Sequence, residues 1–109
     1  MWGKLVSLNP ETYVDIELVD DKVWLGREKD CHKDGRYNDF TISKKHCCIS
    51  KGKKEAFVED TSSNGTFVSG KLVGKGKTAK LCDSQILTLV VPSVDHQNYN
   101  TCTSLVTSQ

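Results

Sequence analysis

A chain of 109 residues accommodates one domain with a modest core and leaves little for a second. Its 15 basic and 14 acidic residues leave a net charge of +1, which argues against the broad cationic surface that coats nucleic acid. No apolar run approaches the length that spans a bilayer. The opening Met1-Trp2-Gly3-Lys4-Leu5-Val6-Ser7-Leu8 has no apolar stretch long enough for a signal peptide, so cytosol or nucleus is expected, with no membrane contact.

Period-two alternation recurs at short intervals along the chain. Leu5, Val6 and Leu8 suggest an opening strand. Val14, Ile16 and Leu18 alternate with Asp15 and Glu17, as a half-buried strand would, and Asp20-Asp21 then forms a turn before Val23-Trp24-Leu25. Residues Glu28 to Thr41 are polar, contain Gly35 and Asn38, and read as a long loop of the kind that often carries function. Further strands are expected at Cys47-Cys48-Ile49, Ala56 to Glu59 and Thr66 to Val68. Ser69-Gly70 fits a two-residue hairpin turn into Lys71-Leu72-Val73, and Ile86 to Val91 closes the series. No window supports an amphipathic helix. Many short strands with regular turns predict an all-β fold, a two-sheet sandwich or a barrel. From Pro92 onward the chain is rich in Ser, Thr, Asn and Gln, so residues 2–91 are expected to form the domain and 92–109 a frayed or disordered polar tail, with a weak strand at Cys102 to Val106.

The cysteines, Cys31, Cys47, Cys48, Cys82 and Cys102, are odd in number and include no CxxC pair. Cys47 and Cys48 would point to opposite faces of a strand and so could not share one metal. Free thiols in a reducing compartment are expected, with no metal and no cofactor.

Three polar clusters fall where apolar runs stop: Gly26-Arg27, Ser43-Lys44-Lys45-His46 and Ser63-Asn64-Gly65-Thr66. Together they offer a guanidinium, two ammonium groups, hydroxyls and a carboxamide, an inventory suited to a phosphate and the peptide that bears it. Each also has a plainer reading: Arg27 as a surface residue, His46 as a packed residue tying loops together, Asn64-Gly65 as a turn. Catalysis has one candidate, a Ser/His hydrolase using Ser43, His46 and Asp60, but it lacks a G-x-S-x-G elbow. Asn64-Gly65-Thr66 matches a glycosylation acceptor, which would require secretion. Gly74-Lys75-Gly76-Lys77-Thr78 resembles a P-loop only in part, because Lys71 stands where the first glycine belongs and no helix follows. With Lys71 and Lys80, this segment reads instead as a solvated basic loop.

Taken in order, the Gly-Arg, the Ser-x-x-His and the Asn-Gly-Thr resemble the forkhead-associated (FHA) domain over roughly residues 2–91. Trp24-Leu25-Gly26-Arg27, Val58-Glu59-Asp60 and Leu72-Val73-Gly74-Lys75-Gly76-Lys77 add a likeness to the FHA module of checkpoint-kinase-2-type DNA-damage effector kinases. The resemblance implies an FHA-type β-sandwich that binds phosphothreonine-containing proteins in the nucleus, with the cytoplasm as a second location. It assigns Arg27, Ser43, Lys44 and Thr41 to the phosphate and Asn64 to the peptide backbone. Gly26, His46 and Gly65 become loop scaffold. It also brings homodimerisation, typical of that kinase family, into view. The chain contains no glycine-rich kinase loop and no HRD or DFG motif, so no enzymatic activity is expected of it. A family sandwich normally ends in a strongly apolar strand. The polar residues after Pro92 therefore predict an exposed sheet edge, with marginal stability or self-association.

Overall fold

The described residues form ten strands in two sheets, several of them with alternating burial. The computed structural model describes residues 2–7, 14–37, 42–53, 55–82 and 85–89, and the backbone of 102–107. The strands are β1 (Gly3–Ser7), β2 (Ile16–Leu18), β3 (Lys22–Leu25), β4 (Cys47–Lys51), β5 (Ala56–Asp60), β6 (Phe67–Val68), β7 (Lys71–Leu72), β8 (Thr78–Leu81), β9 (Ile86–Thr88) and β10 (Cys102–Thr107). One sheet has the order β2-β1-β10-β9-β6-β7 and the other β3-β4-β5-β8, with every pairing antiparallel. Leu5, Ile16, Leu18, Val68 and Leu87 from the first sheet, with Leu89 just after β9, meet Val23, Leu25, Ile49, Ala56, Val58 and Leu81 from the second in one buried core. Full burial of such side chains is worth about 1.5–3 kcal/mol each, which makes this core the main stabilising element. The fold is the expected all-β sandwich.

Several boundaries differ from the sequence reading. Val14 lies outside β2 and is 60% exposed. The ladder ends there because Ser7 N–H donates to the Asp15 side chain (2.8 Å), which also pairs with Lys4 (3.4 Å). Ser69-Gly70 is the expected hairpin turn, both residues having positive φ (50° and 82°), so that the turn's twist matches the strands. Strand β8 was not foreseen. Its pattern is exposed, half-buried, exposed, buried, so only Leu81 is fully buried and the apolar signal is faint. The long loop after β3 is also less loose than its composition implied. It contains a 3-10 turn at Lys33–Gly35, buries Cys31 and Tyr37, and forms a parallel bridge between Gly26 and Arg36.

Within the expected polar tail, 102–107 forms β10, one residue longer than the weak strand foreseen there. It pairs with β1 along Gly3↔Thr107 to Ser7↔Thr103 and with β9 along Cys102↔Thr88 to Ser104↔Ile86. The edge predicted to be exposed by a missing last strand is therefore covered: β10 is an interior strand with a backbone partner on each side. Residues 90–101 and 108–109 lie outside the described residues.

Candidate functional site

Strand register brings four loops to one end of the second sheet. Leu25 pairs with Cys47, Cys47 with Asp60, and Glu59 with Thr78. The segments 26–28, 43–46, 61–66 and 73–77 therefore stand side by side at the end of β3, β4, β5 and β8. Thr41, assigned to the phosphate by resemblance, lies outside the described residues.

Gly26 is required by the first two loops. A Cβ on it would sit 2.8 Å from Ser43 O and 2.8 Å from Lys44 C, and closer still to Lys44 O. The glycine thus lets the 43–44 backbone pass against the end of β3. Lys44 O then accepts from Arg27 N (3.0 Å), Glu28 N (3.1 Å) and Cys31 Sγ (3.3 Å). Arg27 Nε donates to Ile42 O at 2.5 Å, which fixes the base of the guanidinium. The Arg27 and Lys44 side chains are exposed, and among the described residues neither forms an ion pair. Lys45 differs: its ammonium lies 5.4 Å from the centre of the Trp24 ring, a cation–π contact that commits it to the outer face of the sheet.

His46 joins the second loop to the third. It is fully buried; its Nδ1 accepts from Ser43 N (3.0 Å) and its Nε2 donates to Gly65 O (2.7 Å). That pair of contacts requires the neutral ring protonated on Nε2. Burial pushes its pKa below the ordinary value, against opposing hydrogen bonds to backbone carbonyls. Ser43 Oγ accepts from Ser63 N (3.0 Å), a second tie between the same loops.

The Ser43, His46 and Asp60 hydrolase is overturned by these contacts. The His46 lone pair faces the Ser43 amide rather than its hydroxyl, and the opposite ring nitrogen holds a carbonyl rather than Asp60. Asp60 is instead the hub of the third and fourth loops. Its Oδ1 accepts from Ser62 N (2.9 Å), Ser62 Oγ (2.5 Å) and Thr66 Oγ1 (2.9 Å), and its Oδ2 from Thr66 N (3.2 Å) and Gly74 N (3.1 Å). Burial alone would raise its pKa, but the hydrogen bonds from Ser62 and Thr66 outweigh it and hold the carboxyl below the usual range. An Asx turn, Asp60 accepting from Ser62 two residues on, was the legible trace of this role. Gly65 N donates to Ser62 Oγ (2.9 Å), and its φ of 112° suits glycine. Asn64 is exposed at the tip of this braced turn.

The structure thus sets Arg27, Ser43, Lys44 and Asn64 on three cross-linked loops at one end of the sandwich. These contacts, all within the chain, hold the three loops in one arrangement. The lysines grouped in the sequence are separated. Lys75 and Lys77 lie on the 73–77 loop at this end, Lys71 follows the hairpin turn at the far end, and Lys80 pairs with Glu55 (3.3 Å).

A family model described as the FHA domain matches residues 23–90. The probable serine/threonine-protein kinase fhkC of Dictyostelium discoideum is 46% identical over 82 residues, covering 70% of this chain and 13% of the kinase. The probable serine/threonine-protein kinase fhkE of the same organism is 42% identical over 94 residues, covering 81% of this chain and 13% of that kinase. The chain thus spans about an eighth of the length of these curated relatives. Among solved structures, the N-terminal FHA domain of S. cerevisiae Rad53p in complex with a phosphothreonine peptide aligns with a TM-score of 0.76. It is 21% identical and covers 96% of this chain and 90% of that one.

Proposed function

The chain belongs to the FHA-domain family, and on that premise we propose that it recognises phosphothreonine peptides and is not itself an enzyme. The observation that carries this reading is the pairing of two exposed cations, Arg27 and Lys44, which form no ion pair among the described residues, on a backbone held by at least six hydrogen bonds. In the proposed complex, Arg27 and Lys44 take the phosphate charge, Ser43 donates its hydroxyl to a phosphate oxygen, and Thr41 assists. Asn64 holds the peptide main chain, while Gly26, His46 and Gly65 shape the loops.

The energetics suit a reversible signal. A phosphothreonine carries about −1.5 to −2 charges near neutral pH. Charge-assisted hydrogen bonds contribute roughly 1.5–3 kcal/mol each. Two or three supply about 3–9 kcal/mol before the cost of ordering the peptide, so with the Asn64 contacts added the net binding is expected at micromolar Kd or weaker, 1 μM corresponding to about −8 kcal/mol. Removing the phosphate leaves Arg27 and Lys44 without an anion. On the resemblance to checkpoint-kinase-2-type modules, the proposal extends to checkpoint signalling in the nucleus, with a cytoplasmic pool and a homodimer formed through the module.

An oriented phosphothreonine-peptide library tests the reading. The wild-type protein is expected to enrich a defined sequence and folded Arg27→Ala to enrich none. Equal enrichment by both would sink the assignment. A fluorophosphonate probe is expected to leave Ser43 unlabelled.

A further inference from the structure

At the end of the second sheet away from the candidate site lies a basic cleft that shares no residue with it. We propose that this cleft is a second docking site, which takes an extended segment of a partner protein rich in Asp and Glu and needs no phosphate. The inference goes beyond the phosphothreonine reading and stands apart from it.

Strand pairing assembles the cleft. Its volume is about 460 Å³, within the ordinary range of ligand sites, and it is lined by Asp21, Lys22, Ser50, Lys51, Gly52 and Lys53. Lys22 opens β3 opposite Ser50, and Lys51 ends β4, at the other end of the ladder from Leu25 and Cys47. Lys51 N donates to Asp21 O (2.8 Å), and Gly52 N donates to Glu55 O (2.7 Å), which closes the turn that carries Lys53. Glycine is required in that turn: a Cβ on Gly52 would stand 2.6 Å from Glu55 O and 2.8 Å from the Phe57 ring. From Lys22 to Arg27 an extended chain covers roughly 16 Å, twice the screening length of about 8 Å at physiological salt. The cleft and the phosphate cations therefore act as separate electrostatic sites.

Charge selects the occupant. The lining holds three lysines against one aspartate, all of them exposed. Among the described residues Lys22, Lys51 and Lys53 form no ion pair, and Glu55, in the same turn, is committed to Lys80 (3.3 Å). The backbone favours an extended chain. Because Lys51 N bonds Asp21 O, the main-chain groups of Asp21 and Val23 face β4, and those of Lys22 and Trp24 face the open edge of the sheet. At Trp24 that edge is taken, its carbonyl accepting from His32 N (2.9 Å), whereas Lys22 has no such backbone partner among the described residues. A peptide laid there gains main-chain bonds at Lys22 and brings carboxylates to the lysines. Three lysines on a chain of net charge +1 do not supply the many phosphate contacts that a duplex requires.

The test is amide NMR of the isotope-labelled protein titrated with an octaglutamate peptide at about 25 mM and about 0.5 M salt. Octaglutamine, inorganic phosphate and a duplex oligonucleotide are titrated in parallel. Octaglutamate is expected to shift the amides of Lys22, Ser50, Gly52 and Lys53 at low salt and to lose this effect at high salt. Lys22→Gln/Lys51→Gln/Lys53→Gln should weaken its binding about tenfold or more, while Arg27→Ala leaves it intact. An unchanged melting temperature verifies the fold of the triple variant, and Lys22→Glu alone should reproduce much of the loss. Shifts confined to Arg27, Lys44 and their neighbours, equal binding of octaglutamine, or undiminished affinity in both lysine variants overturns the site. Preferential, lysine-dependent binding of the duplex overturns it too, as does a cleft that responds to phosphate and not to octaglutamate. A phosphothreonine peptide should bind the triple variant as tightly as wild type. If no such peptide binds either protein, the phosphothreonine reading falls, and the octaglutamate shifts still decide this one.

Discussion

Substituting Gly26 with alanine should damage the site more than any exposed charge change, through backbone contacts alone. The added Cβ would stand 2.8 Å from Ser43 O and Lys44 C and closer to Lys44 O, all main-chain atoms that no rotamer change can move. Ordinary carbon–oxygen contacts lie beyond about 3.3 Å, so the 43–44 segment must retreat. Lys44 O then loses its three donors, Arg27 N, Glu28 N and Cys31 Sγ. At about 1 kcal/mol each, the loss is roughly 3 kcal/mol, a large share of the stability of a domain this size. Gly70→Ala provides the control. It has a positive φ of 82° but nothing within 4 Å, so it should cost only about 1 kcal/mol. Urea unfolding measures both variants, and phosphopeptide titration should show at least a tenfold weakening for Gly26→Ala alone. Equal destabilisation of the two variants, with equal binding, would refute the claim that Gly26 exists to admit the 43–44 backbone.

Asp60→Asn replaces an acceptor with a donor facing two N–H groups at Thr66 and Gly74, and should cost about 2–5 kcal/mol by urea unfolding. Because the folded Asp60 carboxyl lies below its ordinary value of 3.8, its stabilisation is complete above that pH and is lost as pH falls through the lower folded value. Wild-type stability should therefore decline below about pH 4, and the asparagine variant should lack that part of the acid limb. His46 is held neutral, with a folded pKa below 6.5, so stability present above pH 6.5 should fall as the solution becomes more acidic towards the folded value. Thermal melts from pH 7.5 to 5 should show this decline, and its persistence unchanged in a folded His46→Asn variant would contradict the assignment.

β3 and β5 were legible because their burial alternates with period two, and the start of β4 because Cys47, Cys48 and Ile49 form a continuous buried apolar run. β8 did not, since Thr78-Ala79-Lys80-Leu81 buries only Leu81 completely and owes its place to backbone pairing with β5. β10 was underrated for a related reason: a run of Cys, Thr and Ser around Leu105-Val106 reads as polar, yet two backbone neighbours make it interior. At the site, the charged and polar clusters were visible, but the contacts that join them were not. By resemblance Gly26 is loop scaffold, but the sequence does not show which backbone it admits, the chain's own Ser43-Lys44 segment. Asp60 entered the sequence reading only in the FHA-like Val58-Glu59-Asp60 segment and in the hydrolase alternative, because sequence spacing does not reveal which of several nearby donors a buried carboxylate will take. The basic cluster of four lysines was split by strand geometry, which only the fold determines.

The central claim is that Arg27 and Lys44 await a phosphate. The measurement that meets it most directly is titration of one peptide in its phosphothreonine and unphosphorylated forms into the wild-type protein and into Arg27→Ala, with circular dichroism confirming that both are folded. Micromolar binding of the phosphorylated peptide to wild type alone, with no heat from the other three combinations, is the predicted result. Equal binding of both peptide forms, or undiminished binding by the folded Arg27→Ala protein, would contradict it.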